Sequence, residues 1–238
     1  DIPLEDYLKT RHSSEFFGQK QQERGSLKGW AQAVADGKTS GMNEYVKSIM
    51  DMHKEGNKGS ILLAQNLQFE NRALSNAFLT GQVGQPFTDL MNSIVNRETS
   101  KPTSLLEASG ISQLNWQRRD ILMDAVRPSY LGNNQQGLKE SLNTYYAKSM
   151  EIIDNYEDNI GKARASGGIA LVDLMDYSKA VYAHGAAQGK VDPRMLQYGN
   201  KVEYLAQTLL GETETHEALS DAKHQDRLFK ILSAEVAQ

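Results

Sequence analysis

The sequence contains no cysteine among its 238 residues. Disulfide bridges, thiolate zinc sites and cysteine nucleophiles are therefore excluded. The absence fits a reducing compartment, and we expect a cytoplasmic location. The sequence also has no apolar run near the roughly 20 residues that a membrane-spanning helix needs, and its first residues lack the basic start and apolar core of a signal peptide. We therefore expect no membrane partner.

Aromatic residues are few, at 8%, and neither sign of charge dominates. The net charge of −4 at pH 7 argues against a chain that coats nucleic acid through bulk positive charge. It does not exclude a nuclease, because a site that holds metal ions is itself acidic. Apolar residues at 39% and charged residues at 24% are ordinary for a globular protein, and the length suits one domain spanning 1–238.

Two short apolar runs mark the strand candidates. Residues 60–64 (SILLA) follow a glycine-rich turn and precede polar residues, which predicts a strand buried on both faces. A helical period resumes at Phe69–Leu79, and strand, polar turn and helix together form an α/β unit. Residues 169–174 (IALVDL) fit either a strand or the start of a helix.

Most of the remaining chain has helical periodicity. A polar, helical stretch spans 86–161 and is interrupted by proline and glycine-rich turns. The predicted helices are Met42–His53, Pro86–Asn96, Leu114–Val126, Gly137–Ile160, Asn200–Leu210 and Glu217–Val236.

The segment Thr215–Ala222 (THEALSDA) places His216 and Asp221 at the start of the last predicted helix. A neutral imidazole and a carboxylate there can share a divalent metal and the water that it activates. Taken alone, the pattern is more simply explained by an ordinary surface helix with Thr215 as its N-cap.

A second pattern adds to the first. Residues 64–70 (AQNLQFE) follow the first predicted strand directly and resemble the second motif of the DEDDh 3′→5′ exonucleases of the proofreading-subunit type, A-H-N-x-x-F-D. The C-terminal segment resembles that family's third motif, H-x-A-x-x-D, and Asn200–Gly211 is similar to the Lys-Leu-x-x-Leu helix before it. The resemblance covers roughly 42–80 and 168–236.

The resemblance implies a helix-rich α/β, ribonuclease H-like exonuclease fold in which 86–161 is a helical insertion. It implies a 3′→5′ exonuclease acting on nucleic acid with a 3′ end, with DNA expected ahead of RNA and neither excluded, through two Mg²⁺ or Mn²⁺ ions. Hard cations of this kind prefer carboxylate oxygens. Asp221 and Glu70 would be the metal-associated carboxylates and His216 the general base, while Asn66 and Phe69 would shape the nucleotide-facing wall.

The sequence departs from the family pattern in three places. Gln65 stands where the family has His, and Glu70 stands where it has Asp. No Asp-x-Glu, the family's first motif, occurs upstream of Gln65. Either the strands that carry it belong to a segment before Asp1, or the chain is a degenerate relative, so we expect the chain alone to be poorly active. Asp173 is an alternative ligand, although a strand-end aspartate that caps the next helix is the favoured interpretation.

Two alternatives stay open on sequence grounds. The chain could be a catalytically degenerate exonuclease-fold module that binds a protein or nucleic acid. It could also be a mostly helical structural or assembly protein in which both motifs are coincidental. The second alternative predicts no strand over Ser60–Ala64, or a large distance between Glu70 and Asp221.

Overall fold

The computed structural model describes residues 41–56, 58–95, 104–109, 135–190, 202–213 and 218–236. They form a helix-rich α/β structure with one small parallel sheet. In chain order the elements are α1 (Met42–Gly56), β1 (Ser60–Ala64), α2 (Leu67–Leu79), α3 (Gln85–Ser93), α4 (Leu105–Ser109), α5 (Gln135–Ser166), β2 (Ile169–Asp173), α6 (Leu174–Ala187), α7 (Val202–Leu205), the π-helix Ala206–Leu210 and α8 (Ala218–Val236).

The two predicted strands pair with each other in parallel, with Ser60 opposite Ile169 and Ala64 opposite Asp173. The strand over Ser60–Ala64 is therefore present, contrary to one expectation of the helical-assembly alternative. For 169–174, the strand interpretation is confirmed through Asp173, and α6 begins at the next residue.

The prediction that β1 is buried on both faces is wrong for most of its length. Only Ala64 is buried, and residues 60–63 are partly exposed. All five residues of β2 are buried, and its second edge is also occupied, through the parallel bridge of Ile169 with Ile94. Within the described residues β1 is thus an edge strand. Its apolar run indicates that other elements cover the sheet, not that β1 lies in the centre of the sheet.

Most helices follow the predicted periodicity, but α6 was not predicted, and α1 and α5 continue to Gly56 and Ser166, beyond the predicted ends at His53 and Ile160. Two further corrections concern α3 and the π-helix. Helix α3 ends at Ser93 rather than Asn96, because Ile94 joins the sheet and Val95 donates its N–H to the Ile169 carbonyl at 3.0 Å. The predicted helix Asn200–Leu210 is described from Val202 and is a π-helix over its last five residues. The predicted helix Leu114–Val126 lies outside the described residues.

The core lies between the sheet and the long helix α5. The C-terminal half of α5 presents a continuous buried stripe at helical spacing, formed by Ile152, Ile153, Tyr156, Ile160 and Ala163. This stripe packs against α6 and both strands. Much of α5 falls within residues 86–161, and the status of that range as an insertion stays a prediction. The later turns of α5 belong to the same hydrophobic core as the sheet and α6.

Across the described ranges, no helix combines the length and apolar character needed to cross a membrane.

Candidate functional site

The carboxyl ends of β1 and β2 lie side by side, because the parallel register places Ala64 opposite Asp173. Parallel α/β sheets bind their ligands beyond this edge. Gln65 and Asn66 follow β1 at the edge, and α2 begins at Leu67. The register therefore brings the first turn of α2 next to the end of β2.

Asp173 joins two helix N-termini through one fully buried side chain. Its Oδ1 accepts the Asp176 N–H at 3.0 Å, within its own helix α6. Its Oδ2 accepts the Leu67 N–H at 3.1 Å, in the first turn of α2. Unsatisfied amides and the helix dipole both favour a negative charge at such a position. The prediction that Asp173 caps the following helix is confirmed, and the same side chain also holds α2.

Glu70 lies in the first turn of α2 and is partly buried. Burial, followed by the negative charge of Asp173, raises the pKa of its carboxyl, and a hydrogen bond from its own backbone N–H opposes the rise. Its Oε2 is buried and has no hydrogen-bond partner among the residues that the structure describes. A buried carboxylate oxygen without a donor or cation is unfavourable, and a carboxyl with a raised pKa in a cleft is a feature of functional sites.

Asn66 and Phe69 flank Glu70 in the same turn. Asn66 occupies the N-cap position but makes no side-chain capping bond, and its Oδ1 is buried without a partner. The ring of Phe69 is 72% exposed. With Tyr45, which is also exposed, it borders a cavity of about 140 Å³ that is apolar apart from Glu70. The structure thus places both residues beside Glu70, and their contact with a nucleotide stays a prediction.

Asp221 lies in the first turn of α8 and is partly buried, and within the described ranges its buried Oδ1 has no hydrogen-bond partner. His216 lies outside the described residues, so the structure does not place the predicted base. Among the residues that are described, no three Asp, Glu or His side chains are grouped so that they could hold a metal ion. Glu70 is close enough to Asp173 to be affected by its charge, but Asp221 does not complete a three-residue cluster with them.

The predicted Mg²⁺ or Mn²⁺ pair is therefore only partly matched. Glu70 and Asp221 each offer an unpaired buried oxygen, as a cation ligand would. Asp173 directs both of its oxygens at backbone amides. The described side chains alone do not fit a complete two-metal site, and no reaction step through a metal follows from them.

A charged cluster that the sequence motifs did not indicate follows the π-helix. The Glu212 carboxylate contacts His224 Nε2 at 2.9 Å and Arg227 Nη1 at 2.5 Å. These two contacts lower the pKa of Glu212, with the Arg227 hydrogen bond as the largest cause. His224 lies three residues after Asp221, and this spacing places both side chains on one helix face. That spacing was the feature of the sequence that could have indicated the charged cluster.

No protein-family model, curated protein or solved structure matches this chain. The resemblance to the DEDDh exonucleases therefore rests on the two motif-like segments, 64–70 and 215–222, and on the helix-forming segment that precedes 215–222.

Proposed function

We propose that this chain is a 3′→5′ exonuclease, or the C-terminal portion of one, with a ribonuclease H-like fold that hydrolyses phosphodiester bonds at DNA 3′ ends. The observation that carries the proposal is the environment of Glu70. The motif residue stands in the first turn of the helix after a parallel strand, at the carboxyl edge, with a buried unpaired oxygen.

Asp221 gives independent support, since the other motif carboxylate has the same property. Its Oδ1 is buried without a partner in the first turn of α8. Most buried polar atoms in proteins are hydrogen-bonded, and among the described residues Glu70 and Asp221 belong to the few side chains, with Asn66, Ser75 and His224, that have a buried polar atom without a partner. Divalent cations, when bound, would supply an activated water and stabilise the leaving oxygen. The role of His216 as general base comes from the resemblance.

The test is a nuclease assay on the protein encoded by the complete open reading frame that contains this sequence. Single-stranded DNA labelled at its 5′ end would be incubated with Mn²⁺ or Mg²⁺, and the product ladder resolved with time. We expect stepwise shortening from the 3′ end that stops when the metal is chelated. Glu70→Gln and Asp221→Asn should each reduce the rate by more than about 100-fold, beyond the loss typical of groups that only support metal ligands.

The matched control is Asp226→Asn. Asp226 lies on the same helix as Asp221 but is exposed and pairs with Lys230 at 2.7 Å, so its loss should leave the rate unchanged. Activity that persists in chelator, or that survives both motif substitutions, would exclude the proposed function. An RNA substrate of the same sequence tests the expected preference for DNA, because the 2′-hydroxyl is what separates the two.

A second candidate is a non-catalytic module of the same fold that binds nucleic acid or protein. The observation in its favour is that both carboxylate oxygens of Asp173 accept hydrogen bonds from backbone amides. Calorimetric titration with Mn²⁺ separates the two candidates. Oligonucleotide binding without any Mn²⁺ site and without nuclease activity in the complete reading frame would support the binding module.

A further inference from the structure

The Glu212 side chain is fixed from its own backbone outward. Gly211 ends the π-helix in the left-handed conformation, with φ of +67°, which glycine adopts without a steric penalty. This turn lets the Glu212 N–H donate to the Ala206 carbonyl at 3.1 Å. The carboxylate is therefore held against α8 by a backbone bond at its base, rather than extending freely from a loop.

His224 depends on Glu212 for its ring orientation. Its side chain is 7% exposed, and its buried Nδ1 has no partner in the part of the chain that the structure describes. Since a carboxylate only accepts hydrogen bonds, the proton at the contact belongs to His224 Nε2. Glu212 thus provides the polar contact that sets both the tautomer and the direction of a buried imidazole, as carboxylates do for histidines in many functional sites.

The cluster is one restraint on the rotation of α8 about its axis, and the buried Leu228 and Leu232 of the same helix are another. His224 and Arg227 lie one turn apart, and both contact the same Glu212 carboxylate. Two contacts one turn apart restrain a helix against rotation as well as against sliding. Asp221 lies one turn before His224 on the same stripe of the helix, so the direction of its carboxylate follows from that rotation.

We infer that Glu212 and His224 are positioning residues for Asp221: they hold the first turns of α8 in the rotation that directs the Asp221 carboxylate. The expected effect on nuclease activity rests on the proposed function. The orientation of α8 and of the Asp221 carboxylate by the cluster does not. A misplacement of about 1 Å in a reacting geometry can reduce a rate by about 100-fold, so the loss of the cluster should have an effect of that order without contact between Glu212 and substrate.

The test compares Glu212→Ala with the conservative Glu212→Gln in the complete open reading frame. We expect Glu212→Ala to reduce kcat about 100-fold with an unchanged KM for the oligonucleotide. Glu212→Gln should recover most of the rate, because its amide oxygen still accepts from His224 Nε2. Asp226→Ala, which removes an exposed carboxylate from the same helix, is the control and should behave as the wild type.

A second measurement decides the inference without reference to catalysis. Nitrogen-15 NMR of the His224 ring should show the Nε2–H form in the wild-type protein, and the Asp221 backbone amide gives a reference chemical shift for the first turn of α8. Glu212→Ala should abolish the Nε2–H form and move the Asp221 amide shift, whereas Asp226→Ala should change neither. Unaltered ring and amide signals in a folded Glu212→Ala protein would overturn the inference. If no protein has nuclease activity, the proposed function fails and the NMR result alone decides.

Discussion

Replacing Asp173 by alanine should destabilise the protein more than any substitution of a surface carboxylate. The wild-type side chain is fully buried and accepts one backbone N–H from each of two helices, Asp176 at 3.0 Å and Leu67 at 3.1 Å. Alanine would remove both acceptors at once. The first turns of α6 and α2 would then each have a buried amide without its partner.

The magnitude follows from the two contacts. Loss of a helix N-cap typically costs about 0.5–2 kcal/mol, and a buried donor left unsatisfied costs about 1–3 kcal/mol. With two amides affected, we expect a decrease of about 2–5 kcal/mol in the free energy of unfolding. A whole domain is typically stable by only about 5–15 kcal/mol, so the variant should unfold at a clearly lower urea concentration.

Urea unfolding followed by circular dichroism measures this change directly. Asp173→Asn should lie between alanine and wild type, because its amide oxygen can accept one N–H while its NH₂ group opposes the other. Asp226→Ala removes an exposed partner of Lys230 and should cost no more than about 0.5 kcal/mol. If Asp173→Ala destabilises the protein no more than Asp226→Ala does, the assignment of Asp173 as a shared cap of two helices is wrong.

Two further predictions concern Glu70 and Gly59. The folded-state pKa of Glu70 is raised above its ordinary value of 4.5, so the contribution of Glu70 to stability is fully present below pH 4.5 and is lost as the pH rises through the folded-state pKa. Glu70→Gln should therefore unfold at a higher urea concentration than the wild type at pH 7. A stability difference between the two proteins that does not shrink at acidic pH would contradict the raised pKa. Gly59→Ala should destabilise the protein by about 1–3 kcal/mol, because Gly59 has φ of +78° and an added Cβ would collide with the Ala163 carbonyl. Gly161→Ala is the control, because nothing lies within 4 Å of an added Cβ at that position. Alanine in place of this mid-helix glycine should stabilise the protein by about 0.5–1 kcal/mol. Equal thermal unfolding midpoints for the two variants would refute the expected clash at Gly59.

The strands and most helix ends could be predicted because local sequence determines them. Ser60–Ala64 is apolar between a glycine and polar residues, and it forms a strand of that length. The exposure of β1 could not be predicted in the same way. An apolar run shows that a strand is covered, but whether it lies at the edge or in the centre depends on pairing with distant residues, such as that of Ile94 with Ile169.

The candidate site was predictable in its residue types but not in its relations. The sequence singles out Glu70 and Asp221 through motifs, and the structure finds an unpaired buried oxygen on each. The contact of Asp173 with Leu67 joins residues more than a hundred positions apart, and no local pattern contains it. Glu212 was missed for the same reason, since its partners His224 and Arg227 lie 12 and 15 positions further along the chain.

The two neighbouring carboxylates at the sheet edge differ in what surrounds them, and this difference has functional weight. Asp173 is oriented by amides from two helices, so its position is fixed by the fold. Glu70 lies beside that negative charge, with a raised pKa and an oxygen that has no hydrogen-bond partner among the described residues, so on balance the fold favours its protonated form. Residues that reduce stability without a structural return are concentrated at functional sites. A stabilising effect of Glu70→Gln at neutral pH, combined with loss of nuclease activity, would identify Glu70 as a group retained for chemistry.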